Sequence, residues 1–357
     1  MHTHEMMQVG EGAVTCYMYE IPSFIEKELI RSYQTLHSSL AFFRIFRSLA
    51  HVSCYVARRI GQPPTVLLFS CQRRQLHVLN EMIELDQTEL DRFARHIFTR
   101  FAGIDVITFK AVKTDLDGFA FPTQQHASKS TYLITLSSTP DEYTASIGKS
   151  TRTGLRHQMN NVVRDFKTFE SVFFVNDDAK EQYVRDIIRF SEEKITSKGI
   201  KFAHDAERIV ALVKLCGFIN VFLIDGRICA GSINYRVGDS VFGDVTGYDP
   251  KYEKYGLGKL CVHQTIRESI ARGSKKFYLG GGVFDFKKRM LGVPLQMDEL
   301  TIYRSRVGML RNLDQVVASA VTGGVGKLKA ILHRHKQTTW AGYAFKLFYL
   351  LKSKIAK

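Results

Sequence analysis

No two cysteines in this chain form a C-x-x-C pair. The six, Cys16, Cys54, Cys71, Cys216, Cys229 and Cys261, are scattered, and several lie in apolar surroundings. That usage fits buried thiols in a reducing, cytoplasmic compartment. Two histidine pairs, His2-x-His4 and His333-x-His335, stand without neighbouring ligands, so no metal site is expected. There is no run of ~18 apolar residues of the kind that crosses a bilayer. Residues 1–30 lack a charged stretch followed by an apolar core, so no secretory signal is read there. G-x-S-x-G is absent, which argues against a serine hydrolase of that class. No Gly-Lys-Ser/Thr follows a four-residue spacer after a glycine, so there is no P-loop. After Asp314 the sequence contains no acidic residue at all.

What is present is an ordinary globular composition with a marked basic excess. With 357 residues, 45% hydrophobic and 24% charged, the chain is long enough for two packed domains. Fifty Lys and Arg against 35 Asp and Glu give a formal charge of +15. Such an excess suits an anionic partner: a nucleotide cofactor, an acidic membrane surface or a nucleic acid.

The most informative stretch runs from Phe218 to Arg304. Phe218–Ile224 is apolar and β-branched, Asp225-Gly226 supplies a two-residue hairpin turn, Ile228–Val237 returns, and Gly238-Asp239 turns again into Val241–Tyr248. Tyr255-Gly256-Leu257-Gly258-Lys259 then opens an amphipathic helix reaching about Arg272, followed by a strand at Lys276–Gly280 and Gly281-Gly282. A glycine loop entering a helix lets backbone N–H groups approach an anion. The loop is not the dinucleotide fingerprint, because Cys261 stands where a third glycine is needed and a meander, not a βαβ unit, precedes it.

This order, with Tyr248-Asp249-Pro250-Lys251-Tyr252 before the loop, Phe277-Tyr278-Leu279-Gly280-Gly281-Gly282 after the helix, then Phe286-Lys287, resembles the GNAT superfamily of acyl-CoA N-acyltransferases. It is similar to the branch associated with cellulose and exopolysaccharide biosynthesis, itself related to the Fem-type transferases. The basic segment Lys149–Phe166 resembles the start of that domain, so the likeness covers roughly residues 131–304. One departure is Glu253, three residues before the first glycine, where the family usually carries Gln or Arg.

The resemblance implies an α/β (α+β) fold of tandem GNAT-like domains, with mixed, splayed sheets flanked by helices. A reduced N-terminal domain would take residues 1–125, the catalytic domain 126–310 and a basic amphipathic tail 311–357. It implies acyl-CoA as co-substrate, with its pyrophosphate at Tyr255, Gly256, Leu257, Gly258 and Lys259, on the N–H groups of the last three. The thioester would lie where Val241–Tyr248 splays from Lys276–Gly280. Asp244 or Asp249 would take the amine proton. Tyr248 or Tyr278 would donate to the thiolate, and Lys287 would shape the acceptor site or pair with a carboxylate such as Asp285. His263, one turn into the helix, reads as a packed helix histidine. The acceptor implied is an amine on a small molecule or a lipid- or glycan-linked envelope precursor. The alternatives are a Fem-like transferase using aminoacyl-tRNA and a non-catalytic scaffold or nucleic-acid-binding protein. The absence of sustained heptads favours acyl-CoA over tRNA, and the absence of any recognisable binding module argues against nucleic acid.

The remaining chain is read more coarsely. Ser23 with Glu26 forms a capping box, and Phe24–Ile60 reads as helical for most of its length. Its Phe42-Phe43, Ile45-Phe46 and Leu49 suit either core packing or, with Arg44 and Arg47, a membrane-facing surface. Thr65–Phe69 and Gln75–Glu84 read as strands, Thr88–Phe101 as a helix, Ile104–Lys110 as a strand and Thr114–Lys129 as a loop. Thr139 is an N-cap with Pro140 at the first helical position. The basic side chains Lys149, Arg152, Arg156, His157 and Arg164 form either a solvated face or an attraction for an anionic substrate or the 3′-phosphate of CoA. Between Lys327 and Lys357, eight cations alternate with Trp340, Tyr343, Phe345, Phe348 and Tyr349. That tail reads as a membrane-surface helix that would place the protein peripherally at the inner face, as a disordered arm, or as a packed terminal helix.

Overall fold

The computed structural model describes residues 6–8, 13–197, 199, 201–282 and 285–312. The tail expectation for residues 313–357 lies outside the described residues. In chain order the elements are β1 (Met6–Gln8), β2 (Ala13–Tyr17), α1 (Ile25–Tyr33), α2 (Leu40–Phe46), β3 (Ser53–Ala57), β4 (Thr65–Gln72), β5 (Gln75–Val78), β6 (Ile83–Glu84), α3 (Gln87–Arg100), β7 (Val106–Lys113) and β8 (Thr123–Thr135). They continue with α4 (Pro140–Ser146), α5 (Lys149–Asp165), β9 (Phe169–Val175), α6 (Glu181–Thr196), α7 (Ala206–Cys216), β10 (Gly217–Ile224), β11 (Arg227–Val237), β12 (Ser240–Tyr248), α8 (Leu257–Ala271), β13 (Lys276–Tyr278), α9 (Asp285–Arg289), β14 (Val293–Tyr303) and α10 (Arg306–Arg311). The fold class is mixed α/β, as the sequence indicates.

Two compact units share these elements. The first comprises residues 1–69, 79–83 and 130–295, and the second 70–78, 84–129 and 296–357.

In the first unit β9, β10, β11 and β12 form an antiparallel meander, β13 joins β12 in parallel, and the end of β8 pairs antiparallel with β13. The β10–β11 hairpin turns at Asp225 and Gly226, both with positive φ (48° and 74°), which is the geometry that two-residue hairpins favour. Helices cover both faces of this sheet. On one, Leu155 of α5 and Leu257, Leu260 and Ile266 of α8 pack over Phe222 and Val241. On the other, Ile187 of α6 and Leu212 of α7 pack over Ile219, Ile233 and Val245. Gly231 and Gly247 lie directly opposite each other in β11 and β12. A Cβ on Gly247 would stand 2.4 Å from the carbonyl oxygen of Ile187, so α6 lies against bare backbone there. β1 to β4 form a second antiparallel ribbon in the same unit, with α1 and α2 on it.

The second unit carries β5 parallel to β7 and β14 antiparallel to β7. α3 starts at Asp86, whose side chain accepts the N–H of Glu89 at 2.8 Å. Arg304 binds this unit together by donating to the carbonyls of Phe98, Phe101 and Ile104.

Several sequence expectations require correction. Phe24–Ile60 is not one helical stretch. α1 stops at Gln34, which is left-handed at φ 48°, α2 is only seven residues long, and Ser53–Ala57 is a fully buried strand. That run, Ser-Cys-Tyr-Val-Ala, has strand-forming residues, and tertiary burial decides its state. The Ser23 capping box is absent, since Phe24 precedes α1 and no side chain caps it. Thr114–Lys129 is not all loop, because β8 begins at Thr123 despite a polar sequence. The Thr139 cap holds: Thr139 accepts from Glu142 N–H and Glu142 accepts from Thr139 N–H. Phe42 stacks on Phe46 at 4.7 Å, and both join the α7-side core, while Arg44 pairs with Glu26. Core packing is therefore the reading that holds for α2.

Candidate functional site

β12 and β13 pair over only three residue pairs, from Ser240–Lys276 to Phe242–Tyr278. From Gly243 onward β12 continues to Tyr248 without β13 beside it. The two strands part in the middle of the first unit's sheet. The β11–β12 register also slips here: Asn234 faces Gly243 and Ile233 faces Val245, so Asp244 is the extra residue of a β-bulge. Bulges re-aim a side chain at the point where pairing ends.

The Asp244 carboxylate, re-aimed in this way, accepts a hydrogen bond from the Tyr235 hydroxyl at 3.1 Å. Protein crowding around the carboxyl pushes its pKa above the usual carboxylate range, and the Tyr235 hydrogen bond and His204 oppose that rise. The residue is nonetheless open to water, so Asp244 does not sit in a sealed core. His204 is beside it, with Nε2 3.4 Å from Ser191 Oγ and its backbone N–H on Glu192.

Past the splay, Asp249 is committed to local structure. Its carboxylate accepts the N–H of Lys251 at 3.0 Å and pairs with the Lys251 ammonium at 3.1 Å. It caps the 3-10 turn Pro250–Tyr255. Tyr248 stands between the splay and the loop. Its ring would be 3.3 Å from a Cβ at Gly258, Lys194 lies 4.8 Å over its face, and burial keeps its hydroxyl protonated to higher pH than usual. Tyr278 stacks flat on Phe242 at 4.5 Å, a core contact.

Gly256 enters α8 in the left-handed conformation (φ 63°, ψ 30°), which a residue with a Cβ adopts at a penalty. No side chain caps α8. The amide of Gln158, on α5, lies against Gly256 so closely that an added Cβ would meet Nε2 at 2.3 Å. Two expectations for the loop change. The Lys259 N–H is already hydrogen-bonded to the Gly256 carbonyl at 3.0 Å, which leaves Leu257 and Gly258 as the outward donors of the turn. Tyr255 is buried on Phe166 and donates to Asp165 at 3.0 Å, so it anchors the loop from beneath. Leu257 is fully buried, and its contribution to a ligand is confined to its backbone.

Lys287 is 4% exposed, and its ammonium donates to the carbonyls of Gly280 and Gly281. Burial lowers its pKa to about 8. It holds the glycine turn after β13, a role the sequence reading did not assign. His263 is buried on Tyr143, with its pKa pushed down to about 4 by burial, and is a packing residue as expected. Among the described residues no group of three metal-ligating side chains occurs. Tyr235, His204 and Gln158 were missed by sequence reasoning. Tyr235 is legible in retrospect, because the Gly238 turn sets the β11–β12 register, but the bulge that brings it to Asp244 has no sequence mark.

Residues 150–288 match the family model described as an acetyltransferase (GNAT) domain. No curated protein matches the sequence. Among solved structures, the chain is similar to FemX at 8% identity and TM-score 0.62, over 82% of this chain and 98% of that one. It is also similar to a conserved protein of unknown function from Bacteroides thetaiotaomicron at 10% identity and TM-score 0.50, over 80% and 99%. At such identities the likeness speaks to the fold alone.

Proposed function

We propose that this protein is an acyl-CoA-dependent N-acyltransferase that acts on an amine of a cell-envelope or polysaccharide precursor, with the segment matching the GNAT acetyltransferase domain as its catalytic part. The observation that carries the reading is the parting of β12 from β13 beside Asp244, with the uncapped start of α8 at the end of the same strand. Parted strands expose backbone N–H groups to a thioester oxygen, and the helix start offers Leu257 and Gly258 N–H to a pyrophosphate. In the reaction the amine nitrogen attacks the thioester carbon and its proton passes to Asp244, directly or through a water. The C–S bond then breaks, the amide forms, and the thiolate is protonated with Tyr248 as donor. Asp249 and Lys287 support this site through the loop and the glycine turn and stay out of the chemistry.

Calorimetry with acetyl-CoA and longer acyl-CoAs tests the reading. Gly258→Val would press against Tyr248 and fill the approach to the helix start, and CoA affinity should fall at least tenfold. Undiminished binding by that variant would remove the loop from the site. Incubating cell extracts with labelled acyl-CoA, followed by mass spectrometry, identifies the acceptor. A second reading, aminoacyl transfer from tRNA, is favoured by the FemX fold likeness and the net charge of +15. Label moving from aminoacyl-tRNA and none from acyl-CoA would replace the first reading with the second.

A further inference from the structure

A groove of about 330 Å³ lies in the first unit where α8 finishes. It is lined by the end of β9, the starts of β10 and β12, the end of β11, and the last turn of α8 with the residues after it. Arg272, the cap of α8, lies fifteen residues beyond Leu257, about 22 Å along the helix axis. The groove is therefore remote from the helix start used in the function proposed above. Two arginines, Arg236 and Arg272, line it and no carboxylate does. Each is oriented through its Nε, Arg236 by donating to the Gly238 carbonyl at 3.2 Å and Arg272 by donating to Glu268 at 2.7 Å. Among the described residues the terminal nitrogens of both have no acceptor, and Arg236 has no carboxylate partner. Ser274 also lines the groove, is 3% exposed, and its hydroxyl has no hydrogen-bond partner. A buried hydroxyl left unpaired costs free energy that a ligand oxygen would recover. Phe218 lines the groove from the core and Leu215, 48% exposed, from the surface.

A carboxylate is planar, and the fork of one guanidinium saturates it. Two guanidinium groups and a hydroxyl in one concavity suit a tetrahedral anion, whose terminal oxygens take donors from several sides. The apolar wall suits an organic group on the remaining oxygen. We infer that this groove binds a small phosphate monoester. Its phosphate lies on the terminal nitrogens of Arg236 and Arg272 with the Ser274 hydroxyl, and its organic group lies against Leu215 and Phe218. A volume of this order is at the lower end of small-molecule pockets and admits one ring with its phosphate. The ligand does not react at the transfer site, and its binding does not depend on the acyl-CoA reading.

Phenyl phosphate is the probe, with inorganic phosphate and benzoate as comparators, titrated calorimetrically into the full chain at fixed ionic strength. Phenyl phosphate should bind about fivefold more tightly than either, because inorganic phosphate lacks the apolar group and benzoate the tetrahedral anion. Arg236→Ala and Arg272→Ala should each weaken it about tenfold, the loss expected for a charge-assisted contact. Both side chains are exposed, so circular dichroism should be unchanged. Leu215→Ser should remove the margin over inorganic phosphate and leave inorganic phosphate binding as it was. Gly258→Val, at the other end of α8, should bind phenyl phosphate as the parent does. A parent chain that shows no saturable binding of phenyl phosphate would overturn the inference. Binding that neither arginine variant weakens would overturn it too, because diffuse attraction to a basic surface would then explain the result. Benzoate binding as tightly as phenyl phosphate would overturn the choice of a phosphate, and a loss in Gly258→Val would move the ligand out of this groove.

Discussion

In the proposed reaction Asp244 can act as a base only when deprotonated, and its surroundings delay that deprotonation. The transfer rate should therefore rise with pH along a limb set by this carboxyl. The Tyr235 hydroxyl donates to the charged form and holds the pKa down. Tyr235→Phe removes that donor, so the limb should move to higher pH, read from the pH profile of kcat/KM. Asp244→Asn should lower the rate by roughly 10²–10⁴-fold, the usual contribution of general base catalysis, with circular dichroism unchanged. A profile that does not move in Tyr235→Phe would argue that another group sets the limb. At this scale the sequence was legible in part. Asp244 could be singled out because it is a carboxylate on the strand that parts from its neighbour. Asp249 and Lys287 looked equally chemical, but Asp249 is held by the N–H and ammonium of Lys251, and Lys287 by two glycine carbonyls. A one-letter sequence carries no sign of such bonds.

The meander and its turns were legible because each rests on a local cause: runs rich in β-branched and aromatic residues, Asp225-Gly226, Gly238 and the Thr139 cap. Phe24–Ile60 was not, because Ser53–Ala57 is too short to show a period and no Gly or Pro between residues 24 and 60 sets it off from the helices before it. The contact between α6 and β12 is another feature fixed by tertiary structure. It depends on Gly231 and Gly247 facing each other beneath Ile187. Gly247→Ala should force α6 away from the sheet and destabilise the protein by about 1–3 kcal/mol, the range for overpacking a close contact, measured by urea unfolding. Gly226→Ala, in an open turn with nothing within 4 Å, should lose only the strain of its left-handed backbone. A loss at Gly247 no larger than that at Gly226 would show that the contact with α6 gives way at little cost.

At the scale of the whole molecule the charge of +15 is unevenly placed along the chain, because every charged residue after Asp314 is cationic. No helix among the described residues is long and apolar enough to cross a membrane. Residues 313–357 lie outside the described residues, so the argument for them rests on composition. We propose that residues 326–357 bind anionic membrane surfaces and bring the transfer site to a lipid-linked amine. Each cationic side chain near an anionic leaflet contributes about 1 kcal/mol. Eight such side chains lie between Lys327 and Lys357. The apolar residues from Trp340 to Leu351 would add burial at the headgroup boundary. Charge attraction is screened by salt, whereas apolar burial is not, so the two contributions separate in a salt titration. The full chain should co-sediment with anionic liposomes, lose most of that binding at high salt and keep a salt-resistant remainder. A chain truncated after Gly324 should partition no better into anionic than into neutral liposomes. If the two chains partition equally, the tail has no membrane role.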